Sequence, residues 1–290
     1  GSEMCIRDSI QPEHIICGNG AADLIFRTVF AAKPKKALLL APTFSEYEKA
    51  LSAAGCEINF YALKEENDFA LGDDYINVLE GGYDIVFLCS PNNPTGGELS
   101  EQCLLEIVTR CKRLGILPVI DMSFADFSEN TVSANVLAEA GAAVIKAFTK
   151  IYAMPALRLG YMLCCDEDLL GKVSLAGQSW SVNSLAQAAG AAALDDSDFI
   201  GRTVEYISRE RRFLTEKFGA MGIKTYPAAA NFILLKSEHD LADIAMESGI
   251  ALRRCENFCG LDGSFFRTAV RSHEDNIELV MALERGLLNG

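Results

Sequence analysis

The sequence predicts an α/β fold in which a mostly parallel β-sheet is covered by helices on both faces. Apolar runs of strand length recur along the first part of the chain, and helix-length amphipathic segments separate them. Strands buried on both faces have such near-continuous apolar runs, and intervening helices indicate the crossovers of a parallel sheet. The 290 residues suffice for a large domain over residues 10–197 and a smaller α+β domain over residues 198–290.

The elements of the large domain follow from this alternation. A strand-like run at His14–Cys17 leads into a glycine loop. Further strands are predicted at Ala37–Ala41, Ile58–Leu63, Ile85–Cys89, Leu117–Ile120, Ala142–Phe148 and Gly160–Cys164. Helices are predicted at Ala21–Ala31, Ser45–Ala54, Ser100–Arg113 and Ser184–Leu194, with Ser100 as an N-cap.

The smaller domain is predicted to begin with a long charged helix over Phe199–Met221, whose Arg209-Glu-Arg-Arg212 run is interpreted as a solvated face. The following elements are a strand at Asn231–Lys236, a helix at Leu241–Ser248, strands at Ala251–Arg254 and Phe265–Val270, and a closing helix from Glu274. Residues 1–9 begin with Gly-Ser and have no periodicity, so we interpret them as a tag or artefact.

Composition excludes several classes of function. A formal net charge of −14 would repel nucleic acid and anionic membrane surfaces, and no apolar run reaches membrane-spanning length. Ten cysteines are scattered without a Cys-x-x-Cys pair, and there are three histidines. This composition argues against a metal site and a Ser-His-Asp triad. With no secretory signal, the prediction is a soluble, cytoplasmic protein.

Lys150 is the first residue that indicates chemistry. It follows the apolar run Ala142–Phe148, and Arg158 follows eight residues later, after the Pro155 turn. A lysine in apolar surroundings loses hydration, so its neutral, nucleophilic form is favoured. An arginine nearby offers a forked, permanently charged clamp for a phosphate. The pair predicts a Schiff-base lysine beside an anchored phosphorylated aldehyde, although solvated strand-end charges are the alternative.

A glycine loop offers a second anion site. Gly18-Asn-Gly-Ala-Ala-Asp23 follows a predicted strand and opens a helix, where glycines and the helix N-terminus favour an anion. The rival interpretation is a Rossmann dinucleotide loop, but Asp23 stands where its third glycine should be.

Four motifs together resemble the fold-type I pyridoxal-phosphate enzymes, the aminotransferase class I and II family. They are the glycine loop, Ser90-Pro-Asn-Asn-Pro-Thr-Gly96, the strand-end Asp121 and the Lys150 to Arg158 segment. The resemblance covers nearly the whole chain. It implies pyridoxal 5′-phosphate as cofactor, a small-molecule amino-acid or phosphorylated-amine substrate and a homodimer.

The resemblance also assigns roles to residues. Lys150 would form the Schiff base, and Asp121 would keep the pyridine nitrogen protonated so that the ring accepts electrons. Residues at the cofactor would be Gly20, Ala21, Ala22, Phe44, Asn93, Asp121, Thr149, Lys150 and Arg158. Residues at the substrate would be Arg267, Asn183, Asn231 and Arg271. Period-two alternation would place Arg271 on the same strand face as Arg267.

Simpler interpretations of these residues stay open at this stage. Phe44 in a turn is ordinarily a core residue, and Asn93 before a proline is an ordinary turn residue. Asp121 taken alone is a strand-end or capping aspartate. Arg271 fits a solvated strand end at least as well as an anion contact.

Within the family, the chain resembles the branch of threonine-phosphate decarboxylases and histidinol-phosphate aminotransferases. Asp121-Met-Ser-Phe-Ala-Asp-Phe127, the segment from Lys150 to Gly160, and the tail from Leu252 to Arg271 favour the decarboxylases. We therefore predict an L-threonine-O-3-phosphate decarboxylase, with an aminotransferase for histidinol phosphate as the alternative. Met122-Ser123 and Ala147 depart from the pattern, and Phe124 cannot donate a hydrogen bond to the ring hydroxyl.

The front of the chain departs further. Members of the family begin with an arm that helps to close the substrate site, whereas this sequence starts almost at the glycine loop. An inactive fragment is therefore another alternative, and a nucleotide-binding α/β domain is a more distant one.

Overall fold

The computed structural model describes residues 10–130 and 132–289, the side chain of residue 289 excepted. The interpretation of residues 1–9 as an artefact therefore lies outside the described residues. The division into domains at residues 197 and 198 also stays a prediction.

The large sheet has seven strands in the order β1-β7-β6-β5-β4-β2-β3. Among these strands, β7 alone runs antiparallel to its neighbours, β1 and β6. The predicted, mostly parallel sheet is thus confirmed. The strands are β1 Ile15–Gly18, β2 Lys36–Ala41, β3 Glu57–Ala62, β4 Ile85–Cys89, β5 Leu117–Asp121, β6 Ala143–Ala147 and β7 Gly160–Leu163.

Helices cover both faces of this sheet. Alternate residues of a strand therefore pack into different apolar clusters. Leu38 and Leu40 belong to one apolar cluster and Leu39, between them, to another. Ser100 caps its helix as predicted, accepting a hydrogen bond from the Cys103 backbone N–H at 3.2 Å. The helices are α1 Ala21–Ala32, α2 Ser45–Ala53, α3 Tyr75–Val78, α4 Glu101–Leu114, α5 Ala134–Ala140, α6 Phe148–Ile151, α7 Glu167–Leu175 and α8 Ser184–Asp195.

A second, antiparallel sheet of four strands follows the long helix α9, which spans Phe199–Ala220. Its strand order is β10-β11-β9-β8, and a third apolar cluster lies between it and its helices. The remaining elements are β8 Lys224–Thr225, β9 Phe232–Lys236, α10 Leu241–Met246, β10 Arg253–Arg254, β11 Phe265–Ala269 and α11 His273–Asn289.

Glu65, which follows β3, connects the two sheets. Its carboxylate accepts hydrogen bonds from Lys236 Nζ at 2.7 Å and from the Tyr226 hydroxyl at 2.8 Å, and Lys224 Nζ lies 3.2 Å away. The hydrogen bond from Lys236, helped by those from Tyr226 and Lys224, lowers the pKa of Glu65 to about 2.

The apolar run that was predicted as one strand over Ala142–Phe148 is divided in the structure. The strand ends at Ala147, and Phe148 begins the single-turn helix α6, which contains Lys150. Lys150 is also not the only lysine here, because Lys146 lies inside β6 and forms a buried ion pair with Asp126 at 2.8 Å. Periodicity missed the change because α6 is a single turn, too short to show a helical period.

Candidate active site

The predicted site residues meet at one edge of the large sheet, where its parallel strands end. Cys89 and Asp121 are paired residues at the ends of β4 and β5. β6 ends at Ala147, whose partner Gly160 begins the reversed strand β7. The loops that leave or enter these strand ends therefore converge, as expected at the carboxyl edge of an α/β sheet.

The glycine loop forms a concave backbone at the start of α1. Gly20 has φ +87°, a conformation that favours glycine, and an added Cβ would lie 2.6 Å from Arg158 Nη2. Asp23 closes the loop by accepting the Asn19 backbone N–H at 2.8 Å and by pairing with Arg27. The free amides of the first helical turn and the Arg158 guanidinium thus border the same small space, which suits an anion.

The Lys150 side chain projects from α6 into this space. Its Nζ lies 5.6 Å from the centre of the Phe124 ring. Burial by the walls of the cleft lowers the pKa of Lys150, the positive charges of Arg267 and Arg158 lower it further, and Asp121 opposes them. This environment favours the neutral amine that a carbonyl acceptor requires.

Asp121 ends β5 with only 3% of its surface exposed. Its Oδ1 accepts the Ser123 backbone N–H at 2.9 Å, and its Oδ2 accepts the Tyr47 hydroxyl at 2.7 Å. Burial raises the pKa of Asp121, while hydrogen bonds from the Ser123 hydroxyl, the Tyr47 hydroxyl and the Ser123 backbone N–H, together with the charge of Lys150, oppose the rise. A carboxylate with lone pairs to spare can accept a further proton donor from the cleft.

Phe44 and Asn93 form parts of the wall. The Phe44 ring meets the Tyr47 ring edge-on, with centroids 5.6 Å apart. Asn93 is 7% exposed, and its Oδ1 accepts a short hydrogen bond from Arg267 Nη1. Since its oxygen is engaged, Asn93 has its Nδ2 donors available for another group. Arg267 thereby links the small sheet to the cleft.

The structure thus brings most of the predicted cofactor residues together. One cleft is lined by Ala21, Ala22, Phe44, Asn93, Asp121, Thr149, Lys150 and Arg158. Gly20 lies beside it through its contact with Arg158. Their roles at a cofactor stay predictions, but the shared location is a structural fact.

Three predicted substrate residues, Asn183, Asn231 and Arg271, lie apart from this cleft wall. Asn183 is the N-cap of α8, accepting the Ala186 backbone N–H at 2.9 Å and donating to the Leu157 carbonyl at 3.0 Å. Asn231 directly precedes β9 and is half-buried. Their substrate roles stay predictions without support from this geometry.

Arg271 does not share a strand face with Arg267, so that prediction is wrong. Strand β11 ends at Ala269, so the two-residue period does not extend to Arg271. Its Nε donates instead to Asp275 at 2.9 Å, and its side chain is 68% exposed. The turn into α11 decides this orientation, which the apolar pattern of the strand did not indicate.

Sequence reasoning missed two residues. Tyr47 reaches Asp121 from the first turn of α2, three residues after Phe44, and this i,i+3 spacing was the available signal. Arg253 is the cross-strand partner of Arg267 in the small sheet. Only the register of two distant segments reveals that pair.

Comparison with known proteins identifies the family. The aminotransferase class I and II family matches residues 5–283. The chain belongs to this family. Threonine-phosphate decarboxylase of Salmonella typhimurium is 36% identical over 283 residues, which are 95% of this chain and 77% of that protein. Histidinol-phosphate aminotransferase of Methanosarcina mazei is 31% identical over 272 residues, or 92% of this chain and 71% of that protein.

The fold agrees with this assignment. The crystal structure of histidinol-phosphate aminotransferase from Clostridium acetobutylicum has a TM-score of 0.92 and 26% identity, covering 100% of this chain and 88% of that chain. The chain is therefore a pyridoxal-phosphate-dependent enzyme of fold type I, and the resemblance, fold and cofactor predicted from the sequence are confirmed. The Rossmann-type alternative is wrong.

The chemistry of the cleft fits this cofactor. The positive φ of Gly20 and the neighbouring Arg158 leave room and charge for a phosphate, Lys150 is a partly desolvated amine, and Asp121 is a buried carboxylate. In residues 10–130 and 132–289 no cluster of His, Cys, Asp or Glu could hold a metal ion. Nor does any described helix have the length and apolar character needed to cross a membrane.

Proposed function

We propose that this enzyme is an L-threonine-O-3-phosphate decarboxylase. The observation that carries the proposal is the pair of arginines in the small sheet. Arg253 of β10 and Arg267 of β11 are directly opposed across an antiparallel ladder. Directly opposed residues point to the same face of a sheet, so two guanidinium groups adjoin on the side where Arg267 reaches Asn93.

The two arginines have no internal counter-charge among the described residues. Arg253 Nη2 donates only to the Asn257 amide oxygen, at 3.0 Å, and Arg267 donates to Asn93. Burial and the charge of Arg253 both contribute to lowering the pKa of Arg267. Two adjacent like charges without carboxylates favour a ligand with two anionic groups.

This preference separates the two candidate amine substrates. O-phosphothreonine carries an α-carboxylate and a phosphate, whereas histidinol phosphate carries one anionic group. We assign the carboxylate to Arg267, which is next to Asn93 and the cleft, and the phosphate to the more exposed Arg253. The adjacent Arg254 points to the opposite face and is neutralised by Asp240 at 2.6 Å and Asp243 at 2.7 Å.

The residues of the cleft would then act as follows. Arg158 and the amides at the start of α1 would hold the cofactor phosphate, and Asp121 would hold the proton of the ring nitrogen. When bound, pyridoxal phosphate supplies an electron sink for a bond broken at Cα. In decarboxylation the Cα–carboxylate bond breaks and carbon dioxide leaves. Lys150 Nζ, after taking a proton from the incoming substrate ammonium, would be the acid in this cleft that delivers the proton replacing the carboxylate.

The experiment supplies the cofactor-loaded chain with O-phospho-L-threonine and measures released carbon dioxide and the amine product. The substitution Arg253→Gln should raise KM by about tenfold or more, because a charge-assisted hydrogen bond is lost. Arg254→Gln is the matched control and should leave KM unchanged. Conversion of the cofactor to pyridoxamine phosphate without carbon dioxide would refute the decarboxylase assignment.

Histidinol-phosphate aminotransferase is the second candidate, supported by the structural similarity and the relative named above. It predicts that histidinol phosphate converts the bound cofactor to its amine form and that 2-oxoglutarate reverses the change. Turnover of either substrate by the chain of this length would exclude the inactive-fragment alternative.

We further propose that the enzyme acts as a homodimer. Large apolar side chains are exposed from the end of α7 to the start of α8: Leu175 is 88% exposed, Trp180 96% and Leu185 72%. An exposed apolar patch of this kind is typical of an interface. Light scattering after size exclusion should give twice the chain mass, and Trp180→Ser should reduce it. A monomeric unaltered protein would contradict the proposal.

A further inference from the structure

Tyr47 is a buried tyrosine whose hydroxyl reaches Asp121 from behind the cleft. It is 0% exposed, and its ring stacks on Phe87 with centroids 4.9 Å apart and planes inclined by 15°. The hydroxyl donates to Asp121 Oδ2 at 2.7 Å. Tyr47 does not line the cleft, so it acts on any ligand there only through Asp121.

We propose that Tyr47 is a positioning residue that keeps Asp121 ionised and correctly oriented for the cofactor ring nitrogen. This inference rests on the cofactor site and is independent of the choice between decarboxylation and transamination.

Each oxygen of Asp121 accepts a defined protein donor, and the Ser123 hydroxyl donates to the same carboxylate. Ser123 N–H holds Oδ1 and the Tyr47 hydroxyl holds Oδ2, so the plane of the carboxylate is fixed from two sides. One backbone donor cannot do this alone, because the carboxylate could still rotate about its Cβ–Cγ bond. Tyr47 therefore determines which lone pairs remain for a proton donor in the cleft.

Tyr47 stays a donor under all working conditions. Burial raises the pKa of its phenol well above the usual value, and the negative charge of Asp121 adds to the effect. Cys89 adjoins both residues, but its thiol donates to the Pro91 carbonyl at 3.2 Å, and burial raises its pKa too. Lys150 supplies the nearby positive charge. Within residues 10–130 and 132–289 the phenol is the donor that reaches Oδ2, and the Ser123 hydroxyl is a second side-chain donor to the same carboxylate.

The Tyr47 hydrogen bond would influence whether Asp121 or the cofactor ring nitrogen holds the proton between them. A donor to the carboxylate stabilises its anion and makes it a weaker base, so the proton stays on the ring nitrogen. Without the hydroxyl, burial of Asp121 would favour the neutral acid, and Asp121 would hold the shared proton in place of the ring nitrogen.

The test compares Tyr47→Phe with Tyr75→Phe, a matched control. Tyr75 is equally buried, and its hydroxyl has no hydrogen-bond partner in the described structure. Both variants are loaded with cofactor labelled with ¹⁵N in the ring, and the ¹⁵N chemical shift and the cofactor dissociation constant are measured. Tyr47→Phe should move the shift toward the unprotonated value and weaken binding by about tenfold. Tyr75→Phe should change neither.

A purely structural role for Tyr47 would leave the ¹⁵N shift at its original value in Tyr47→Phe, and that result overturns the proposal. If Tyr47→Phe is too unstable to load, the double variant with Asp121→Asn decides. Recovery of stability supports a hydroxyl that serves the carboxylate charge, and failure to recover refutes it. Neither readout requires turnover, so a failed decarboxylation assay leaves this test intact.

Discussion

Replacing Gly20 with alanine should weaken cofactor binding in two ways, by straining the backbone of the glycine loop and by displacing the Arg158 guanidinium. The residue has φ +87° and ψ 166°, a region that is almost restricted to glycine. Alanine there costs about 1–3 kcal/mol of folding free energy. The added Cβ would also lie 2.6 Å from Arg158 Nη2 and 3.2 Å from Cζ. Because this is the end of a flexible side chain, we expect Arg158 to move rather than the backbone.

The displaced guanidinium sets the size of the binding effect. A hydrogen bond to a charged group contributes about 1.5–3 kcal/mol, so its loss weakens binding roughly 10- to 150-fold. The assay is a titration of cofactor-free Gly20→Ala with pyridoxal phosphate, followed by absorbance, together with urea unfolding. Inorganic phosphate should compete less well for the variant than for the unaltered protein.

Gly82→Ala separates the two effects. Gly82 has φ +73° and ψ 47°, and an added Cβ would meet nothing within 4 Å. It should lose about 1 kcal/mol of stability and no cofactor affinity. The reasoning is refuted if folded Gly20→Ala binds the cofactor as tightly as Gly82→Ala does.

Three further predictions follow from the site and its surroundings. Lys150→Ala should abolish borohydride-stable attachment of the cofactor, read by intact-chain mass spectrometry, whereas Lys172→Ala, exposed on α7, should retain it. Arg267→Gln should raise KM for O-phosphothreonine by about tenfold or more, and Arg271→Gln, which loses only its contact with Asp275, should not; equal effects would contradict the assignment. Glu65→Gln should lower the urea midpoint at neutral pH. Because the folded pKa of Glu65 is depressed to about 2 from 4.5, this difference should vanish as pH falls through that window, and a constant difference would argue against the ion pairs.

The sequence was sufficient for the large sheet and for most of the cleft. Glycine, proline and strand-end residues determine local geometry, and parallel strands bring their ends to one edge. Gly20, Asn93 and Asp121 were therefore predictable as neighbours, since Asp121 ends a strand and the other two lie in loops that begin at strand ends.

Pairing between distant segments was not predictable. Arg253 adjoins Arg267 only because β10 and β11 pair in one register, and a shift by one residue would bring Arg254 there instead. The helix α6 was missed because a single turn of four residues is too short to show a helical period. Arg271 was misplaced because bonding within the turn to α11 ended the strand.

The separation of anchors between the two sheets has a consequence for how such an enzyme can diversify. Residues assigned to cofactor retention lie on the large sheet and its loops, whereas the two arginines assigned to the substrate come from the small one, joined to the cleft through Asn93. Substitutions in β10 and β11 can therefore alter which anions are accepted while the cofactor stays anchored. New substrate specificities can therefore arise on this scaffold by a series of substitutions in which every variant still binds the cofactor.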